Sequence, residues 1–223
     1  MLAKPDKPVK ISIPAAAKPD NGFDVSKEPS KLRERYNACG FGQDLLLARR
    51  LVESGVNFVN VYISGQPYGS DAKGYNWDDH AVNWDMNKAM KARLPWYDHI
   101  VTTLIEDLHE RGLDEKVMLV VTGEFGRTPT RDGVGGQNGF GRSHWNRAMS
   151  AVLVGGGVKG GTVYGKTDEF GANVVENKMN VHDLHATILH LIGFDHTKLT
   201  YRYNGREFRL TDVFGNVAKP VIA

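Results

Sequence analysis

The order of apolar patterns predicts an α/β fold, with a mostly parallel sheet and helices on both of its faces. Three observations carry that expectation. The run Val117-Met118-Leu119-Val120-Val121 reads as a buried strand, and it stops at the glycine-flanked acid of Gly123-Glu124-Phe125-Gly126-Arg127. Residues 56–63 and 151–154 read as further strands, the second ending in Gly155-Gly156-Gly157. Between these runs lie stretches of helical periodicity, each closed by a glycine. In an open α/β sheet, ligands bind beyond the carboxyl ends of the strands, so Glu124 stands where chemistry is expected.

The elements follow in chain order. Residues 1–27 mix Pro, Lys, Asp and Ala, which predicts an extended or poorly ordered arm with one strand-like patch at 9–13. Residues 28–223 are expected to form the α/β domain. Ser26 as cap and Pro29 in the first turn predict a short helix reaching about Tyr36. A second helix over about 42–53 sets Leu45, Leu46, Ala48, Leu51 and Val52 on one side and ends at Gly55. The longest helical pattern begins near Met86. Pro95 predicts a break or restart, after which Ile100, Leu104 and Leu108 recur until Gly112. Residues 131–142 are polar and glycine-rich, hence a loop. Asn180 is placed to cap a helix over 181–192, with Asp183 in the first turn and Gly193 beyond. From Tyr201 the tail is polar with a few apolar anchors and predicts a hairpin or irregular strand. No internal repeat stands out.

Composition narrows the function classes. The 223 residues are 41% hydrophobic and 24% charged, as in ordinary globular domains. With 28 Lys and Arg against 26 Asp and Glu, the net charge of +2 and the lack of a basic stripe argue against a nucleic-acid surface. No apolar run approaches the ~18 residues of a membrane span. The first eight residues lack the apolar core of a secretory signal, so no export address is expected within this sequence. Cys39 is the sole cysteine, which rules out an intrachain disulfide or a cysteine metal cluster.

Three places could carry chemistry. In Asn76-Trp77-Asp78-Asp79-His80, an extended backbone points Asp78 and His80 to one side, a carboxylate and an imidazole suited to a zinc-like ion. The same residues also suit a solvated cap of the next helix. His144, in Gly141-Arg142-Ser143-His144-Trp145, could supply a third ligand from a distant loop, with Trp145 as a wall against water and Arg142 as an anion fork. Glu124 could be a ligand or general base, and Arg127 could clamp a phosphate, sulfate or carboxylate. A structural salt bridge is the other use of that pair. His182, Asp183, His185, His190 and His196 read as structural. Gly155-Gly156-Gly157-Val158-Lys159-Gly160-Gly161 lacks the ending of a phosphate loop and does not open a helix, so it reads as a tight turn.

From about residue 23 to 223 the chain resembles the carboxyl-terminal half of the bacterial domain-of-unknown-function family 1501. The marks, in order, are Phe41-Gly42-Gln43 leading into Leu47-Ala48-Arg49-Arg50-Leu51-Val52-Glu53, then Trp77-Asp78-Asp79-His80 and Gly123-Glu124-Phe125-Gly126-Arg127-Thr128-Pro129. Gly141-Arg142-Ser143-His144-Trp145 and the glycine turn at 155–161 follow. Asp183-Leu184-His185-Ala186-Thr187-Ile188 and Phe208-Arg209-Leu210-Thr211-Asp212-Val213 complete the set.

That family is similar to the alkaline phosphatase and sulfatase superfamily. The resemblance implies a partial alkaline-phosphatase-like three-layer sandwich. The amino-terminal half, with the nucleophile and the first aspartate ligands, has no counterpart here. It also implies a divalent metal, zinc by its ligands, held by Asp78, His80 and His144, and a small anionic ester as substrate. Glu124 matches an acidic ligand of a second metal site. Phe125 stands where the superfamily places a histidine or asparagine, so that second site lacks a ligand, and Arg127 is the candidate to replace its charge. The chain is accordingly expected to be a hydrolase-like module completed by a missing half. The alternative is a non-catalytic anion-binding or scaffold protein on the same fold. Self-association through an uncovered sheet is a further expectation, and any export signal is expected in full-length relatives.

Overall fold

The structure is a computed structural model and describes residues 22–36, 40–63, 77, 86–131 and 141–223. Residues 1–21, Cys39, Asp78 and His80 therefore lie outside the described residues. The described residues fall into two compact units, 22–63 and 77–223. No helix among them is long and apolar enough to cross a membrane.

The first unit is helical. A single 3-10 turn, Val25–Lys27, precedes α1 (Ser30–Tyr36), and α2 spans Gly40–Glu53. The first helix starts one residue after Pro29 and not at Ser26. Asp24 caps the preceding turn instead, accepting from the Ser26 amide at 3.1 Å. On α2, Phe41, Leu45 and Leu46 are buried, and Ala48, Leu51 and Val52 are half-buried. Gly55, at φ 100°, closes the helix, with its own amide on Val52 and the Val56 amide on Leu51.

A charged cluster pins the segment leading into α1 to α2. Arg49, 1% exposed, reaches Glu28 at 3.0 Å and Glu53 at 2.7 Å. Arg50 also bonds the Glu28 carboxylate and donates to the Gly22 carbonyl at 3.1 Å. The expected strand over 56–63 is absent. The segment is irregular and has no ladder partner among the described residues, and Phe58 is 83% exposed. An apolar, β-branched run alone does not make a strand when no neighbour takes up the backbone bonds.

In the second unit, α3 runs unbroken over Met86–Glu110 with Pro95 inside it, against the expected break. The missing amide costs one helical bond. The buried row of Ala89, Arg93, Ile100, Leu104 and Leu108 lies on both sides of the proline and outweighs that cost. Gly112, at φ 64°, ends the helix. The strands are β1 (Met118–Val121), β2 (Gly126–Arg127), β3 (His144–Trp145), β4 (Val152–Gly155), β5 (Lys166–Thr167), β6 (Val174–Glu176), β7 (Thr200–Tyr203) and β8 (Arg206–Arg209). They form four two-stranded pairs, β1–β4, β2–β3, β5–β6 and β7–β8, all antiparallel.

The fold is thus mixed α and β, and the expected mostly parallel sheet is corrected to antiparallel pairs among the described residues. A parallel neighbour needs a crossover, usually a helix, to carry the chain back. Between β1 and β4 the described chain holds the β2–β3 pair and no helix, so it returns in the opposite direction.

The carboxyl-terminal tail is closed onto α4 (Val181–Leu191) by residues of the Asp183-to-Ile188 motif. Asn180 and Asp183 form a reciprocal capping box. The other Asp183 oxygen accepts from the Asn216 amide at 2.7 Å. The Thr187 hydroxyl donates to the Asp183 carbonyl at 2.7 Å and accepts from the Ala218 amide at 2.9 Å. His196 meets the buried Thr211 hydroxyl at 2.9 Å. The expected tail hairpin is β7–β8, turned by Asn204 and Gly205, both at positive φ. The triple glycine is a turn. A Cβ on Gly155 would lie 2.5 Å from the Val117 carbonyl oxygen, and the Gly156 amide donates to Asp114 at 2.7 Å.

Burial opposes ionisation of Glu28, yet the hydrogen bonds from Arg49 and Arg50 outweigh it and hold the carboxyl below its ordinary value of 4.5. The pair therefore stabilises the fold fully above that value and loses its effect as pH falls through the lowered one. Glu28→Gln is expected to lower the unfolding free energy by about 3–5 kcal/mol at neutral pH and to flatten this acid limb. Denaturant titrations at several pH values measure both. A loss under about 1 kcal/mol contradicts the role given to the cluster.

Candidate functional site

β1 carries the chain to Gly123 and Glu124, both exposed beyond the strand end, where the sequence placed the acid. The chain then pairs with a distant segment. In β2–β3, Gly126 faces Trp145 and Arg127 faces His144. The Thr128 amide extends the pairing by donating to Ser143 at 2.9 Å, and the Ser143 amide donates to the Thr128 hydroxyl at 3.1 Å.

Only glycine suits position 126. A Cβ there would sit 1.7 Å from the Ala148 carbonyl oxygen, so the backbone of the loop after β3 packs directly on the strand. The Phe125 ring lies stacked on the His144 imidazole, 5.3 Å between centroids and 16° between planes. Phe125 is thus not idle at the position where a ligand was expected: it covers one face of the His144 ring, a candidate ligand on an exposed residue.

Two arginines, one in β2 and one just before β3, cross. Arg127 donates from Nη1 to the Arg142 carbonyl at 3.0 Å and from Nη2 to the Trp77 carbonyl. Arg142 donates from Nε to the Thr128 carbonyl and from Nη2 to the Arg127 carbonyl at 3.4 Å. Each guanidinium thus grips the backbone of the opposite segment. The Trp77 ring is edge-on to Tyr97 at 5.5 Å and lies under the Arg93 guanidinium at 5.0 Å, so α3 holds its side chain while Arg127 holds its backbone.

A loop braces the far side. The Trp145 indole donates to the Ala172 carbonyl at 2.6 Å, and Arg147 lies over the same indole at 5.2 Å. The Asp168 carboxylate accepts from the amides of Ala172 and Asn173 at 2.7 and 3.0 Å. Those bonds, led by the Ala172 amide, hold its carboxyl below the ordinary carboxylate range.

Of the residues singled out in the sequence, the structure brings His144 and Arg127 opposite each other and sets Glu124 next to Phe125. Asp78 and His80 are outside the described residues, but Trp77, covalent neighbour of Asp78, is fastened to the β2–β3 pair. Among the described residues no group of three His, Cys, Asp or Glu could hold a metal ion. Asp183 and His196 have the structural roles given above.

Sequence reasoning missed the arginine crossing and the brace on Trp145. A signal for the first exists: Phe125-Gly126-Arg127-Thr128 and Phe140-Gly141-Arg142-Ser143 are two copies of one four-residue pattern, fifteen positions apart. A repeat that short escapes a search at the scale of whole elements.

The family described as "Protein of unknown function (DUF1501)" matches residues 14–222 of the chain. No curated protein matches it, and no solved structure does.

Gly126→Ala is expected to destabilise the second unit by about 1–3 kcal/mol, because the Ala148 backbone has to move. Hydrogen exchange at 126–128 and 143–145 should speed up with it. Unchanged stability and unchanged protection would contradict the close approach.

Proposed function

The chain belongs to the DUF1501 family of proteins of unknown function, and we propose that it is a metal-dependent hydrolase-like module of the alkaline phosphatase and sulfatase superfamily, acting on phosphate or sulfate esters. One observation carries the proposal. Three segments far apart in sequence, at Trp77, at 124–127 and at 142–144, converge through the Arg127 bonds and the β2–β3 pair. Convergence of this kind is what a site with ligands from several loops requires.

In this reading Asp78, His80 and His144 would hold the ion. One carboxylate and two imidazoles, with an open fourth position, have the chemistry of a catalytic zinc site. When bound, the metal would polarise the ester oxygen. Glu124 would take the proton of the attacking water, and its exposure at a strand end suits a base that meets solvent. Phe125 would fix the plane of His144 and shield one face of it from water. The finer architecture belongs to the same proposal: a three-layer sandwich in which β1–β4 forms one border of a larger sheet, completed by an amino-terminal half or a second copy. In its favour, no residue of these two apolar strands is fully buried.

A second reading, a non-catalytic anion-binding or scaffold protein, is favoured by two observations. Phe125 cannot ligate a metal. Arg127 directs two of its donors at backbone carbonyls, not at a ligand space.

Metal analysis of the purified protein separates the readings. The hydrolase reading expects about one equivalent of zinc per chain, lost in His144→Ala, and a lower melting temperature in chelator. It also expects cleavage of aryl phosphate or aryl sulfate esters. Bound metal without turnover of either ester leaves the scaffold reading, and absence of metal removes the hydrolase reading.

A further inference from the structure

We propose that His109 and Asp114 form a pH-sensitive clasp: their ion pair holds the turn after α3 against the glycine turn after β4, and its weakening loosens both turns together. None of these residues belongs to the metal site proposed above, so the clasp stands or falls apart from it.

His109 lies in the last turn of α3, where the helix dipole favours a cation. Gly112 reverses the chain, and the Asp114 carboxylate comes back to the His109 Nδ1 at 2.6 Å. The backbone of Asp114 faces the other turn. Its carbonyl accepts from the Gly156 amide at 2.7 Å. A Cβ on Gly155 would lie 2.6 Å from the same oxygen, so the two turns are in backbone contact and neither shifts without the other. The glycine turn in its own right carries the last residues: the Ala223 amide donates to Gly157, and the Lys159 amide to Val221, both at 2.9 Å. His109 and Asp114 also line a cavity of about 340 Å³ with Ile105, Leu108, Val117 and Val154. Space beside the pair lets the turn move without overpacking the core.

The charged groups around the pair come from α3 and the turn. Glu110 follows His109, and Glu115 follows Asp114 and lines the same cavity. Arg111 bonds Asp107 at 2.8 Å, and Lys116 and Lys159 are exposed. Residues 154–158, on the β4 side of the cavity, carry no charge.

The hydrogen bond with Asp114 raises the His109 imidazole above its ordinary 6.5, and the carboxylate charge adds to it. The same bond lowers the Asp114 carboxyl below 3.8. The charged pair is complete between those limits. As pH rises through the raised imidazole value, the neutral ring can still donate from Nδ1, but the bond loses its charge and weakens. As pH falls through the lowered carboxyl value the carboxylate is lost, far from neutrality. The alkaline limb is the one that lies near physiological pH.

The experiment is a series of nitrogen–proton correlation spectra and amide-exchange measurements on the full chain over about pH 5.5 to 8.5. The set is wild type, Asp114→Asn, His109→Gln and Glu115→Gln. In wild type the His109 midpoint is expected above 6.5. The Gly156 amide should shift with that midpoint, and its exchange, corrected for the intrinsic rate, should run about two- to fivefold faster above it than below, the range of an exposed ion pair. Asp114→Asn keeps the shape and removes the charge, so the midpoint returns to about 6.5 and the step in exchange disappears. His109→Gln keeps a donor that does not titrate and abolishes the step too. Glu115→Gln keeps it.

A Gly156 amide whose shift and exchange ignore the His109 midpoint overturns the proposal, as does a step that survives in Asp114→Asn or His109→Gln. A step of equal size at the Val56 amide of the first unit also overturns it, because the change is then not local to the clasp.

Discussion

A pair of crossed arginines bridging two very short strands is the interaction on which the site depends. The strands around His144 are two residues long, too short to hold distant segments together by their own bonds. Arg127 and Arg142 make up the deficit by crossing, each bonding the other's backbone. The rest of the local structure follows from that clasp. Gly126 has to be glycine because the pairing brings Ala148 against it. Trp145, drawn in beside His144, is then anchored on Ala172, whose own amide is held by Asp168. Phe125 lies on the imidazole that the pairing presents.

The motif residues outside the clasp serve the fold. Asp183 caps α4 and takes the Asn216 amide, and Thr187 bridges from α4 to Ala218. Thr211 meets His196 within the protein interior. The glycine turn after β4 accepts the last residues of the chain, with the Lys159 amide donating to Val221 and the Ala223 amide to Gly157. Arg49 and Arg50 close the helical unit on Glu28. Of the described residues singled out in the sequence, Glu124 and His144, with Phe125 stacked on the imidazole, lie beside the arginine clasp.

What could be read from the sequence was local. Most helix ends written in caps and glycines came out within a residue or two: Asn180 with Asp183, Gly55, Gly112 and Gly193 stand where a single turn of backbone requires them, whereas Ser26 did not cap the first helix, which begins at Ser30. The buried row of Ile100, Leu104 and Leu108 was legible from period alone. Pairing was not. Residues 56–63 are rich in strand-forming residues, yet a strand exists only where another offers bonds, and no residue in the segment encodes that. The direction of β4 against β1 was equally hidden, since it depends on whether the intervening chain holds a helix. In the site, Glu124 and His144 were visible as residue types at loop ends. Arg127 was visible as a cation, but its role was set by carbonyls at 77 and 142, which carry no sequence signature of their own. The doubled Phe-Gly-Arg pattern was the one trace of it.

Whether these residues do chemistry comes down to whether imidazoles from separate loops share an ion. Zinc K-edge absorption on the reconstituted protein tests this most directly, because imidazole rings leave a characteristic outer-shell signal. The account predicts nitrogen and oxygen neighbours at about 2.0–2.1 Å, with the scattering of two imidazoles that falls to one in His144→Ala. A spectrum fitted by water and carboxylate oxygens alone, or one that His144→Ala leaves unchanged, would contradict it.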